Sequence, residues 1–303
     1  MLKIDKYAAI DIGSNAIRLL IATVLEKEGY ETQFKKTSLV RVPIRLGADV
    51  FLQENISQEN YLRMVDAMHA FRLLMKNHKV VAYRACATSA MREAKNGKQI
   101  AKKLLDETEI NINIIDGNDE AAIIASTDLK DLISDNKVFL YVDVGGGSTE
   151  LTVFANGKTV VSRSFQLGTV RIINDMVRES IWDEVRDWIK ENTAQYEKVD
   201  CIGSGGNINS IYRYSGTKVG KPLSYFYMTN FFEKVKSYTY HERIFELQMN
   251  PDRADVIIPA TRIYLSAMKW AKAKNMFVPK IGLADGIVKS LYNEKKAQEL
   301  EVQ

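Results

Sequence analysis

The chain has 303 residues, of which 46% are hydrophobic and 26% charged. At about 100–200 residues per domain this length suggests two domains, and the composition excludes a disordered chain, a collagen-like rod and a coiled coil. The 42 basic and 38 acidic residues leave a net charge of +4, too small an excess to imply nucleic-acid binding and compatible with a local basic groove for an anionic substrate. No apolar run approaches the roughly 18 residues of a membrane span. Asp5 and Asp11 interrupt the first apolar stretch, so no signal peptide and no membrane partner are expected. The two cysteines, Cys86 and Cys201, lie far apart. They exclude a disulfide framework and a zinc ribbon, and a cytoplasmic setting is expected.

In chain order, the pattern predicts strands at Tyr7–Ile12, Ile17–Leu25 and Thr32–Arg41, with a turn at Asp11-Ile-Gly-Ser-Asn15. Ser57 reads as an N-cap, and Leu62, Val65, Met68, Ala70, Phe71 and Leu74 fall near helical spacing, predicting a helix to about Asn77. A strand at Val80–Ala85, helices at Thr88–Ala94 and Lys98–Thr108, and a strand at Asn111–Ile115 follow. Then comes a helix over Asp119–Leu132. Lys137–Val144 is a strand ending in Asp143, followed by the turn Gly145-Gly-Gly-Ser-Thr149. Glu150–Ala155 and Lys158–Phe165 form a hairpin across Asn156-Gly157. Helices broken near Arg178, a strand at Val199–Gly203 and a mostly helical remainder complete the chain, with a short strand before Gly282.

The two halves repeat one pattern: a strand ending in Asp, a turn of glycine and hydroxyl residues, and two further strands. Such duplication predicts an α/β fold of two related ribonuclease H-like (actin-like ATPase) domains facing across a cleft. The expected bounds are residues 1–116 and 117–303, with a C-terminal helix at about 287–303 able to pack back on the first domain.

Glycine turns let an anion approach the backbone N–H groups without a Cβ clash, and serine or threonine adds a hydroxyl donor. Ser14, Asn15, Gly145, Gly146, Gly147, Ser148 and Thr149 are therefore candidates for cradling phosphates. Asp11 and Asp143, each at the end of the preceding strand, are candidates for contacts to a hydrated Mg²⁺. A third turn, Gly203-Ser-Gly-Gly-Asn207, sits between a strand and a helix, the layout for an anion at a helix N-terminus, and adds Gly205 and Gly206. No Walker motif or dinucleotide fingerprint is present.

These turns, with Arg18-Leu-Leu, Arg45-Leu-Gly47, Ala87-Thr-Ser-Ala-Met-Arg-Glu-Ala94, Gly117-Asn-Asp-Glu-Ala121, Arg253-Ala-Asp255 and Gly282-Leu-Ala-Asp-Gly286, span most of the chain. They closely resemble the exopolyphosphatase / guanosine pentaphosphate phosphohydrolase family of the actin / sugar kinase / heat-shock ATPase superfamily, in its short two-domain form. The resemblance implies an Mg²⁺-dependent hydrolase that releases the terminal phosphate of inorganic polyphosphate, guanosine pentaphosphate or both. It implies Glu120 as the general base, against the plainer reading of a first-turn helix acid favoured by the macrodipole. Glu150 would position water or bind metal, and Arg92 would contact a phosphate oxygen. A homodimer is expected. Ala122 and Ala284 stand where the family often has arginine, which bears on substrate preference. His69, His78 and His241 lack metal-ligand spacing. The tyrosines between Tyr212 and Tyr240 suit helix packing, a dimer interface or stacking on a guanine. Two other functions compete: a superfamily kinase, and a non-catalytic sensor of polyphosphate or a guanosine alarmone.

Overall fold

The computed structural model describes residues 2–125, 127, 133 and 137–301. The chain separates into two compact units, residues 1–127 with 283–303, and residues 128–282.

The first unit opens on a meander of β1 (Leu2–Ile12), β2 (Ile17–Lys27) and β3 (Gln33–Val42). β4 (Ala82–Ala87) and β5 (Ile112–Ile114) join on the other side, so the sheet order is β3-β2-β1-β4-β5, with β4 parallel to β1 and β5 parallel to β4. β1 starts five residues before the expected Tyr7, because Leu2 to Lys6 pair with β2 beyond the end of β4. Leu2 and Ile4 are exposed there, so no apolar burial marked the segment in the sequence.

α1 (Leu46–Gln53) was not legible as a helix. α2 (Gln58–Asn77) is capped as expected by the Ser57 hydroxyl, which accepts from Asn60 N at 3.2 Å. Its buried stripe is Tyr61, Met64, Met68, Phe71 and Met75, spaced at three and four residues; Leu62 and Leu73 are exposed instead. The expected stripe had drifted in phase because leucines sit on the outer face. α3 (Ser89–Glu93), α4 (Gly97–Thr108) and α5 (Gly117–Ala125) follow. The remainder of the helix expected to reach Leu132 lies, apart from Thr127, outside the described residues.

The second unit repeats the plan. β6 (Val138–Val144), β7 (Thr149–Ala155) and β8 (Lys158–Phe165) form the meander, with Asn156 and Gly157 both at positive φ in the hairpin turn. β9 (Asp200–Ser204) lies parallel to β6, and β11 (Asn275–Phe277) parallel to β9; β10 (Leu223–Ser224) adds an antiparallel edge strand. Between them run α6 (Thr169–Ile173), α7 (Glu179–Thr193), α8 (Gly206–Tyr214), α9 (Tyr225–Ser237), α10 (Tyr240–Phe245), α11 (Pro251–Ala254) and α12 (Ile257–Trp270). Arg178 is the N-cap residue of α7, at the expected helix break. One continuous apolar core joins the sheet to α7, α8, α9 and α12.

The last helix, α13 (Leu283–Glu301), belongs to the first unit and packs on β1, β2, β4 and α5. Ile287, Val288 and Tyr292 are buried, and the Tyr292 ring meets Tyr7 and Phe34 edge-on. Ion pairs Lys36–Asp285 at 2.8 Å and Arg84–Glu294 at 2.5 Å pin its two halves to the strands. Both cysteines are buried free thiols.

Candidate functional site

In the first unit the turn after β1 is closed by Gly13 N donating to Ala16 O at 3.1 Å. The carbonyls of Ser14 and Asn15 accept from Gly47 N at 2.8 Å and Arg45 N at 3.0 Å, at the start of α1. The buried Ser14 hydroxyl lies 2.9 Å from that of Ser89, the first residue of α3. Asp11 and Arg18 are directly opposed across β1 and β2, and Arg18 Nη1 donates to Asp11 Oδ2 at 3.2 Å. Burial pushes the Asp11 carboxyl up, and the guanidinium pulls it partly back.

Arg92, on α3, donates from Nη1 to Ile115 O at 2.8 Å and thereby anchors the segment that leads into α5. Asp116 Oδ1 accepts from Asp119 N at 2.8 Å, capping that helix start. Glu120 follows in the first turn, 8% exposed. Burial pushes the Cys86 thiol up to about 11, and Asp11, Glu120 and Asp119 all push the same way. Cys86 is the β4 neighbour of Asp11, so Glu120 lies within electrostatic reach of the strand end that carries the turn. α13 comes close behind it: a Cβ on Gly286 would sit 2.3 Å from Ile123 O.

The second unit builds its turn in the same way. Gly145 N donates to Ser148 O at 2.9 Å, and the carbonyls of Gly145 and Gly146 accept from Thr169 N at 3.1 Å and Val170 N at 2.9 Å, at the start of α6. This bracing demands a glycine at 168, where a Cβ would lie 2.2 Å from Gly146 O. Arg171 Nε donates to Gly147 O at 2.7 Å. The Thr149 hydroxyl is donated to Leu167 O, so this side chain stiffens the turn from within.

A row of polar side chains crosses the sheet beside the turn. Ser204 on β9, Asp143 on β6, Glu150 on β7 and Ser164 on β8 are successive register partners, and partners in register project from the same face. The hydroxyls of Ser148 and Ser164 donate to Glu150 Oε1 at 2.6 and 2.9 Å. Ser204 Oγ lies 3.0 Å from Asp143 Oδ2 and 3.0 Å from Ile281 O.

The third turn meets this row. Gly205, at φ 101°, leaves its Cβ position 3.2 Å from Asp143 Oδ1. Gly206 opens α8 under a guanidinium: a Cβ there would lie 2.1 Å from Arg253 Nη2, and Arg253 Nη1 donates to Asn207 Oδ1 at 3.2 Å. The buried Tyr264 hydroxyl donates to Ser204 O; burial, and then Asp143, push its pKa well up.

Within the first unit the structure therefore groups Asp11, Ser14, Asn15, Arg92 and Glu120 around the ends of β1 and β4. Within the second it groups Asp143, Gly145 to Glu150, Gly205 and Gly206. The sequence pattern gives no role to Ser164, Gly168 or Arg171, and it shows Ser204 only as a member of the third turn. The repeated Leu46-Gly47 and Leu167-Gly168 pairs, each opening a helix after a meander, held the signal for Gly168. Arg253 was noticed as part of a motif and given no role.

Asp143 and Glu150 supply hard carboxylate oxygens side by side. Mg²⁺ is commonly held by one or two carboxylates and completed by water and substrate phosphates, so this donor pair fits the ion. Among the described residues no cluster of three or more His, Cys, Asp or Glu gathers.

Two α/β units, each with an antiparallel meander, two parallel strands and a turn of glycine and hydroxyl residues after the first strand, define the actin-like ATPase fold. A solved exopolyphosphatase from Cytophaga hutchinsonii has the same fold, with a TM-score of 0.82 at 20% identity over 96% of this chain and 98% of that one. Residues 28–295 match the model of the Ppx/GppA phosphatase family. The chain belongs to that family. It is 35% identical over 219 residues to a bifunctional 3-dehydroquinate synthase/phosphatase of Fusobacterium nucleatum, covering 64% of this chain and 32% of that protein. It is 31% identical over 177 residues to exopolyphosphatase 2 of Mycobacterium tuberculosis, covering 56% and 54%. The aligned part is thus about a third of the first relative and about half of the second.

Proposed function

We propose that the chain hydrolyses the terminal phosphoanhydride bond of inorganic polyphosphate or guanosine pentaphosphate with Mg²⁺. The observation that carries this reading is the pair Asp143 and Glu150, held by hydroxyls beside a glycine turn. The family match supports it, as do relatives named exopolyphosphatase and guanosine-5'-triphosphate,3'-diphosphate pyrophosphatase.

In this reading Ser14, Asn15, Gly146, Gly147 and the backbone N–H of Ser148 receive phosphate oxygens, Gly145 closes the turn through its own N–H, and Gly205 and Gly206 at the α8 start receive a further oxygen. Asp143 and Glu150 hold Mg²⁺, which when bound offsets phosphate charge and draws electron density from the bond being broken. Asp11 is engaged by Arg18, and its part is to fix the first turn. Glu120 takes the proton from the attacking water, a role usually worth about 10²–10⁴-fold in rate. The Ser148 and Ser164 hydroxyls keep Glu150 turned to one side. Arg92 serves through the carbonyl of Ile115, setting the entry of the helix that carries Glu120.

The test is phosphate release by purified protein with Mg²⁺, from long-chain polyphosphate and from guanosine pentaphosphate, for wild type and Glu120→Gln. Release that falls about 10²-fold or more in the variant supports the proposal. Substrate binding with no release by wild type would replace it with the sensor reading.

A further inference from the structure

The second unit carries a cavity of about 260 Å³ away from both of its glycine turns, against the far end of α8. α8 runs nine residues from Gly206 to Tyr214, so Tyr214 lies about 12 Å along the helix axis from the turn. Three aromatic rings wall the cavity. Phe231 is its buried floor, with Tyr214 stacked on it at 6.1 Å and 23° and Tyr227 at 6.2 Å and 28°.

Its polar side comes from α9. Tyr227, Asn230, Phe231 and Lys234 recur at three- and four-residue spacing, which places them on one helical face. Asn230 offers an amide with both a donor and an acceptor end. Lys234 offers an exposed ammonium, and exposed Arg213 sits 5.2 Å from the Tyr214 ring centroid.

Charge concentrates here as well. Residues 213–236 hold five basic side chains, Arg213, Lys218, Lys221, Lys234 and Lys236, against one acid, Glu233. This excess equals the net charge of the entire chain. The same short stretch contains the rings that line the cavity. Cations beside flat aromatic walls suit a ligand that is planar at one end and anionic at the other.

The volume sharpens the choice. Pockets that enclose whole drug-sized ligands run from about 300 Å³ upward. At 260 Å³ this one takes a ring system and leaves the rest of the ligand outside. A larger cavity, between the ends of α7 and α12, also has basic lining residues. There Lys190 and Lys269 lie in the last turns of two helices and offset the helix C-termini, so their presence needs no ligand. Lys234 also lies in a last helical turn, and Phe231 joins the apolar core with Tyr214 and Tyr227 packed against it, but here all three rings also line the cavity beside the exposed Asn230 amide.

We infer that this cavity is a purine-nucleotide site: the base stacks on the Tyr214, Phe231 and Tyr227 walls with its polar edge on Asn230, and the phosphates lie outside on Lys234 and Arg213. The site is separate from the phosphate turns and does not depend on the proposed hydrolysis. Linear polyphosphate has no ring and gains nothing from the aromatic walls.

Equilibrium binding of a fluorescent GTP analogue to the full chain tests this, using wild type, Glu120→Gln, Asn230→Ala and Lys234→Glu. Both Asn230 and Lys234 are exposed, so these variants keep the fold. The expected result is unchanged affinity in Glu120→Gln. Asn230→Ala and Lys234→Glu should each lose affinity about tenfold, with inorganic polyphosphate a poor competitor. Unlabelled GTP should displace the probe, and a phosphorylated sugar lacking a base should not. The proposal is overturned if wild type shows no binding, if both variants bind as wild type does, or if polyphosphate displaces the probe as well as GTP. Loss of hydrolysis with binding intact would strike the proposed activity and leave this site standing.

Discussion

The two sheets place equivalent residues in equivalent rows and give them opposite chemistry. In the first unit the row reads Arg41, Arg18, Asp11, Cys86; in the second it reads Ser164, Glu150, Asp143, Ser204. The same backbone register thus carries one carboxylate paired with a guanidinium, and two carboxylates supported by hydroxyls. An ion pair largely satisfies itself. Adjacent carboxylates repel, and a cation bound between them would offset that repulsion. Duplication of a fold need not duplicate a site: the first unit keeps the turn and pairs its carboxylate with Arg18, while the second sets two carboxylates side by side among hydroxyls.

Breaking the second row should have the largest effect. Asp143→Asn and Glu150→Gln are each expected to lower turnover by about 10²-fold or more and to move the Mg²⁺ titration to higher concentration. An unchanged titration in both would take the metal away from this row. Breaking the first row should cost stability more than chemistry. Arg18→Ala leaves the Asp11 carboxylate buried without its ion-pair partner, and about 1–3 kcal/mol is expected, below the value for a fully buried pair because Arg18 is 31% exposed. Urea unfolding reads this directly; a midpoint equal to wild type would mean the pair carries no weight.

The braces under the two turns offer a finer contrast. A Cβ at 168 meets backbone, at Gly146 O, whereas a Cβ at 47 first meets the Phe51 ring at 2.7 Å, and the Ser14 Cβ at 3.0 Å. A ring can swing and a turn carbonyl cannot. Gly168→Ala should destabilise by about 1–3 kcal/mol, with Gly47→Ala costing less by thermal melting. Equal losses would mean the first turn is as rigid as the second.

The smallest effect is a pH dependence. The Asp11 carboxyl is raised above its ordinary 3.8 in the folded chain, so the folded state binds that proton more tightly than the unfolded state. Its contribution to stability is fully present below 3.8 and is lost as pH rises through the raised folded value. Asp11→Asn should therefore flatten the fall in urea midpoint across that window, and Arg18→Ala should extend the fall to higher pH. A variant whose midpoints run parallel to wild type would remove Asp11 as the source.

Much of this comparison was legible in the residues. Asp11 and Asp143 announced the repeated strand ends, Asn156-Gly157 announced its hairpin, and Ser57 announced the start of α2. Local chemistry decides such features, and local chemistry is what a sequence displays. The rows were not legible, because Ser204 and Ser164 meet Asp143 and Glu150 only through strand register, across 61 and 14 residues of chain. The N-terminal half of β1 was hidden because it is an exposed extension, patterned by pairing and not by burial. The α2 stripe was misphased because methionines and a tyrosine, not the leucines, face the core. The aromatic stretch around Tyr227 was seen as a composition and became a site only once α8 and α9 packed their rings together.

The placement of α13 sets an order of events during synthesis. Residues 128–282 are made between α5 and the helix that covers β1, β2 and β4. At about 5–20 residues per second a ribosome needs roughly eight to thirty seconds for that stretch. Throughout it, the first unit lacks Ile287, Val288 and Tyr292, and the sheet surface they seal stays open to water. Gly286 is likewise not yet there to back the carbonyl of Ile123, so the helix bearing Glu120 lacks its support. The nascent chain therefore passes through a window in which a ready-made apolar surface invites chaperones or neighbouring chains, and the half that begins first is finished last.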